Sequence, residues 1–381
     1  MLQTKNRVVR VLCCVSLVTL FSCRTDNPII SPEQHQTGDS SSTGIKGFYV
    51  LNEGNLGSNK ASLDYYDFAT GIYTNDIYAQ RNPSVVKELG DVGNDLQVYG
   101  KRLYAVINAS NKIEVMTSDS ARRIGQIDVP NCRYLAFDGA YGYVTSYAGP
   151  IVIGSDHAQI GYVLKFDTAT LTPVDTCFVG FQPEGLAISN GKLFVANSGG
   201  YMAPDYDSTL SVIDLNSFDE IKRIPIDINM QHVVADQYGQ IWINSQGDYY
   251  DRESHLYCVD ANTGDVVEQF AFAVSNFCIS GDSLYFYSNA WSYTEMSNSL
   301  SYGILNIRTH EIITKHFIVD GTETEISVPY AICVNPISHD IYITDAKTYV
   351  IPGVLYCYGA DGIKKWSVRT GDIPGHICLI E

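Results

Sequence analysis

The chain of 381 residues is poor in several things, and each shortage removes a class of function. Positive charge is scarce: 25 Lys and Arg stand against 42 Asp and Glu, a formal net charge of −17. Such an acidic surface argues against nucleic acid and against electrostatic docking on anionic lipid. No apolar stretch is long enough to span a bilayer as a helix. Cysteine occurs ten times, yet never as CxxC, so a zinc site has no spacing to rest on. Neither GxSxG nor HExxH occurs, which leaves hydrolase and metalloprotease chemistry without its usual scaffold. Tryptophan is limited to Trp242, Trp291 and Trp366, and these do not recur in register. These shortages point to a binder rather than an enzyme.

The 27 tyrosines and 31 glycines suit short strands joined by tight turns. Pro183 to Ile226 shows how they are arranged. Four runs of about 5–7 residues carry apolar residues at near-alternate positions, the mark of half-buried strands. They are Gly185–Ser189, Lys192–Asn197, Thr209–Asp214 and Glu220–Ile226. Asn190-Gly191 joins the first two as a hairpin, since both residues tolerate the positive φ that such turns need.

This unit recurs every ~40–50 residues, the spacing of β-propeller blades. Inner strands aligned on Gly185 begin at Asp95, Tyr134, Gly185, His232, Asn276, Ala331 and His376, which makes seven. Third strands end in Asp67, Asp167, Asp214, Asp260 and Asn306, whose side chains can hold the following turn. The segment from Phe48 to Tyr78 supplies three strands, and the C-terminal segment from Pro374 supplies one inner strand. The expected fold is therefore all-β: a seven-bladed β-propeller whose C-terminal strand completes the first blade and hides open sheet edges.

Three divisions follow along the chain. Residues 1–22 read as a secretory signal, with Lys5, Arg7 and Arg10 ahead of the apolar run Val11–Phe21. Leu20-Phe21-Ser22-Cys23 resembles a lipobox, with Cys23 as the acylated residue and a lipid anchor as the only membrane attachment. Loss of the leader takes the net charge to −20. Residues 23–45 are polar and pattern-free, a tether of roughly 25 Å reach. Residues 46–381 form the propeller. Seven cysteines lie in it, and repeat alignment places Cys278, Cys333 and Cys378 at the position of Ala187, and Cys258 and Cys357 at matching positions of their third strands. They read as small buried residues.

Long, aromatic connections fall on one face and short turns on the other. Long loops on one side of a rigid scaffold are usually its working surface. The candidate ligand-binding residues there are Asn55, Tyr134, Tyr147, Asn197, Tyr201, His232, Gln246, Tyr249, Trp291, Tyr293, Tyr330, Tyr349 and His376. Rings with amide partners suit a large, flat, partly apolar ligand. His232 and His376 are expected to hydrogen-bond neighbouring strand ends. No catalytic residue, metal site or cofactor is assigned.

Phe194-Val195-Ala196-Asn197 and Tyr143-Val144-Thr145-Ser146 resemble the Tyr-Val-Thr-Asn repeat of YncE-like propellers. Tyr49-Val50-Leu51-Asn52-Glu53-Gly54-Asn55, behind a lipobox and a tether, is similar to the YncE-like surface lipoproteins of Bacteroidetes, among them the cobalamin-capturing BtuG group. That resemblance implies an outer-membrane, cell-surface protein. Its ligand would be cobalamin or another corrinoid, and its partner a TonB-dependent barrel of the BtuB type. The chain itself would be a monomer apart from that transporter. The alternative is a scaffold for a protein partner or a surface glycan, and, behind that, a propeller lyase or dehydrogenase.

Overall fold

A computed structural model describes residues 31–40, 44–151, 153–154, 158–250, 252–292 and 297–380. The leader and Cys23 lie outside them. Seven antiparallel sheets stand in a ring, each of four strands except the first, which has five. Blade 4 is the template unit, with strands Pro183–Ser189, Lys192–Asn197, Thr209–Asp214 and Glu220–Pro225. The inner strands of the other blades are Gly93–Tyr99, Cys132–Asp138, Met230–Ala235, Asn276–Ser280, Pro329–Val334 and Pro374–Ile380. The last of these pairs with Gly47–Asn52, so strands from the two ends of the chain share blade 1 and close the ring as expected.

Packing follows from the alternation. Second strands are buried along nearly their whole length, and each supplies a large residue to the gap between blades. Tyr49, Tyr104, Tyr143, Phe194, Trp242 and Tyr342 are all essentially inaccessible. Burying a residue of this size contributes about 1.5–3 kcal/mol relative to leaving it in water. Cys278, Cys333 and Cys378 occupy the inner-strand register of Ala187, opposite Tyr285, Tyr342 and Tyr49. All seven described cysteines are free thiols, four of them buried. Desolvation pushes Cys333 and Cys378 up to about 12, which makes them inert packing groups.

The turn residues also behave as their chemistry dictates. Asp67, Asp167, Asp214, Asp260 and Asn306 each accept the two backbone N–H groups that lie two and three residues ahead. Asn190 and Gly191 take φ of 50° and 71°, as the hairpin needs.

The tether differs from expectation. Gln34–Gln36 forms a fifth strand on the outer edge of blade 1, paired with Ile72–Thr74. Beyond it, Asp39 accepts Trp366 Nε1 at 3.2 Å and pairs with Lys365 at 2.6 Å. The segment lacks an apolar pattern because an outer edge strand needs only backbone pairing and a few polar contacts. A propensity reading has no purchase on such a piece.

Candidate functional site

Six of the seven inner strands carry a register shift at the end facing the long loops. In blade 2, for instance, it falls between Gly93 and Asp95, and in blade 5 between Met230 and Val233. Bulges of this kind re-aim side chains and end pairing. With Ser275, which precedes the unshifted inner strand of blade 6, they present one residue per blade to the axis: Asn94, Arg133, Glu184, Gln231, Ser275, Tyr330 and Gly375. All seven line a cavity of about 1220 Å³.

A second ring lies four residues past the bulge position of the second strand. It comprises Leu56, Asn111, Pro150, Tyr201, Tyr249 and Tyr349, and these also line the cavity. Tyr201, Tyr249 and Tyr349 are 41%, 59% and 43% exposed and stand at the rim. Tyr249 and Tyr349 hold φ of 64° and 62°, left-handed conformations that are costly for bulky residues.

The inner wall is polar and tightly tied. Arg133 donates Nε to Glu184 Oε2 at 2.9 Å and a second N–H to Oε1 at 3.0 Å. The Tyr147 hydroxyl also donates to Glu184, and the Arg133 guanidinium lies 4.9 Å from the Tyr147 ring centroid. Neighbouring inner strands are stitched by side chains. Thr145 bonds Glu184 O at 2.9 Å, Thr344 bonds Pro374 O at 2.7 Å, Asn244 bonds Val274 O at 2.9 Å, and Asn276 bonds Tyr330 O at 2.9 Å. Asp95 accepts Leu96 N and Leu135 N, each at 2.8 Å. Burial nonetheless pushes its carboxyl up to about 7.

His232 and His376 flank the Tyr134 ring at centroid distances of 6.0 and 6.2 Å. Desolvation lowers them to about 4 and about 3, so both are neutral imidazoles at ordinary pH. His376 contacts the Asn94 backbone of the next blade, as expected of a strand-end stitch. His232 does not fit that expectation. Its backbone N–H donates to Asn244, but no ring hydrogen bond is found among the described residues. The stitching there is done by Asn244 instead.

Of the residues singled out from sequence, Tyr134, Tyr201, His232, Gln246, Tyr249, Tyr330, Tyr349 and His376 converge on this cavity. Asn197 does not. It is fully buried at the bulge, accepting Gly180 N at 2.9 Å and donating to Ser211 and Thr209. The bulge leaves backbone groups needing partners, and a buried amide supplies them. Tyr147 is buried behind the wall, supporting Glu184. Asn55 holds a loop turn through its carbonyl, which accepts Ser58 N at 2.9 Å, while its neighbour Leu56 reaches the rim. Trp291 falls in the strand Ser283–Ser292, and Tyr293 lies outside the described residues.

Sequence reasoning missed Glu53, Arg133, Glu184 and Gln231. The signal was one residue away: shifting the inner-strand alignment back by one places Arg133 and Glu184 at equivalent positions of adjacent blades. The group Asp39, Asp340 and Cys357 could hold a metal by proximity. However, the Lys365 ammonium already sits between the two carboxylates at 2.6 and 3.0 Å.

Residues 46–364 match the model of a family described as a domain of unknown function, DUF5074. The chain belongs to this family. No curated protein matches this DUF5074 chain in sequence. Its fold is similar to that of a quinonprotein alcohol dehydrogenase-like protein from Bacteroides thetaiotaomicron, with a TM-score of 0.64 and 16% identity over 87% of this chain and 78% of the other. It is also similar to hydrazine synthase from Kuenenia stuttgartiensis, with a TM-score of 0.56 and 14% identity over 71% of this chain and 77% of the other. At such identities the likeness concerns the propeller fold of the DUF5074 chain alone.

Proposed function

We propose that this DUF5074 propeller is a non-enzymatic receptor that captures a large, partly apolar ligand of the corrinoid type. Capture takes place in the cavity on the long-loop face. The observation that carries this reading is the pairing of two rings: exposed tyrosines at the rim and fixed hydrogen-bonding groups below them, around about 1220 Å³. Tyrosines offer broad contact area at small entropic cost, while Gln231, Gln246 and Asn276 orient a polar periphery. The lipobox-like sequence before Cys23 and the resemblance to BtuG-type lipoproteins support anchorage at the outer membrane. In this reading the bound corrinoid passes to a TonB-dependent barrel of the BtuB type.

The test is calorimetric titration of the chain lacking residues 1–23 with cyanocobalamin. Saturable one-to-one binding is expected, with a rise in melting temperature set by mass action. Absence of binding overturns the corrinoid reading. It would favour a scaffold for a protein or glycan, to which the exposed Leu56, Ile153, Tyr250 and Val350 on the same face would contribute.

A further inference from the structure

The cavity wall is unbalanced in charge. Its lining contains three carboxylate residues, Glu53, Asp128 and Glu184, and a single cation, Arg133. Arg133 is already committed by two hydrogen bonds to Glu184, so its charge is matched inside the wall. The two lining histidines are neutral. Asp128 stands at the exposed edge, accepting Gln126 Nε2 at 2.7 Å. The acid left facing the interior is Glu53.

Glu53 is held in place from both sides. Its N–H donates to Ile373 O at 2.8 Å, and its carbonyl accepts Gly93 N at 3.0 Å, which clamps it between blades 1 and 2. The side chain packs directly against Gly375, where a Cβ would come 2.5 Å from Glu53 Oε1 and 2.8 Å from its Cγ and would displace it. Among the described residues, the one side-chain hydrogen bond to the carboxyl is from the Tyr330 hydroxyl, at 3.2 Å. An ionised carboxylate can accept about four such bonds. Most of its accepting capacity is therefore unused, and desolvation pushes the group up to about 8. A ligand N–H would supply the missing partners.

We infer that Glu53 is the specificity-determining residue of this cavity, accepting N–H donors from a primary amide or protonated amine of the ligand and turning away carboxylates. The inference rests on the receptor reading above and narrows it to ligands that present nitrogen donors. A corrinoid rimmed with primary amides meets that condition. Above the shifted titration, a carboxylate placed against the ionised Glu53 would meet like charge, which costs more in the desolvated wall than in water.

The experiment compares wild type with Glu53→Gln, which keeps the shape and removes the charge. Four probes are titrated by calorimetry at pH 8.5, above the shifted titration of the carboxyl: cyanocobalamin, its monocarboxylic acid derivatives, benzamidine and benzoate. Wild type should prefer the nitrogen-bearing member of each pair by about 10-fold or more, the worth of a hydrogen bond to a charged group. Glu53→Gln should bring that preference below about 3-fold while the melting temperature shows a folded protein. If cyanocobalamin fails to bind but benzamidine is preferred over benzoate only in the wild type, the corrinoid reading falls and the role of Glu53 stands. An equal preference in both proteins overturns the inference. So does a cavity that takes none of the four probes. Should Glu53→Gln not fold, Glu53→Asp takes its place. It retracts the carboxylate by one methylene and should weaken nitrogen-bearing probes without inverting the preference.

Discussion

The two faces of the ring are made by the same chain crossing the same seven sheets, yet they solve different problems. On the face of short turns, Asp214, Asp260 and their equivalents each close a local loop with their own backbone. Left-handed backbone at Leu171 and Phe218 and register shifts between third and fourth strands recur there, and bonds such as Lys192 Nζ to Ala261 O at 3.1 Å tie neighbouring turns together. On the cavity face it is the inner strands that are bulged, side chains of neighbouring blades bond their backbone, and the left-handed residues Tyr249 and Tyr349 stand exposed at the rim. Both faces are irregular, so what separates them is loop length and where the side chains go. Phe218 turns into the core, whereas the long loops hold rings, amides and charges around the cavity.

The largest expected effect comes from breaking the cavity face at its centre. Arg133→Met leaves the Glu184 carboxylate buried without its partner and should cost about 3–5 kcal/mol of stability. Adding Glu184→Leu should recover most of that loss in a denaturant melt. If the single variant melts like wild type, the pair is not the keystone of the wall.

Next are the rim tyrosines, for which stability and binding should move apart. Tyr249→Gly and Tyr349→Gly relieve a positive φ and should leave stability unchanged or raise it by up to about 1 kcal/mol. Each should weaken ligand binding by about 10-fold, the worth of one well-placed ring. A parallel fall in both quantities would mean that the rings hold the loops rather than the ligand.

On the opposite face Asp214→Ala should cost about 1 kcal/mol, with affinity untouched. The most gradual is the response to pH. Glu53 and Asp95 titrate higher in the folded state, at about 8 and about 7, so folding binds protons and stability falls as pH rises towards 8. His232 and His376 titrate lower, so stability falls as pH drops below their ordinary value of 6.5. Below pH 6.5 these opposing trends largely offset each other, so the melting temperature should change little there and fall between 6.5 and 8, and Glu53→Gln should flatten that fall.

The ring was legible in the sequence because propeller geometry repeats. Seven inner strands, alternating burial and capped turns all recur in the same order, so each blade checks the others. The rim was legible in part, since Tyr201, Tyr249 and Tyr349 are large residues in long loops. The wall was harder. Arg133 and Glu184 look like surface charges in a linear reading, and only the bulge turns them to the axis and buries them against each other. Asn197 misled for the converse reason: an amide at a loop entrance looks available, but the bulge consumes it. The strand Gln34–Gln36 was hidden because its partner is Ile72–Thr74, far along the chain, and no local pattern encodes that pairing.

That strand has a mechanical consequence. It runs from the cavity side, where Gln34 faces Thr74, towards the other side, where Gln36 faces Ile72. Asn75 fixes its start by donating to Glu33 O at 3.0 Å. Whatever holds the chain upstream therefore pulls on the ring at the cavity edge of one blade, and not through its centre of mass. From the proposed attachment at Cys23 to Glu33 the backbone can extend about 35 Å at most. A lipid there would moor the ring off-centre, like a boat tied at the bow, free to swing about one corner while its opening stays close to the surface it is tied to.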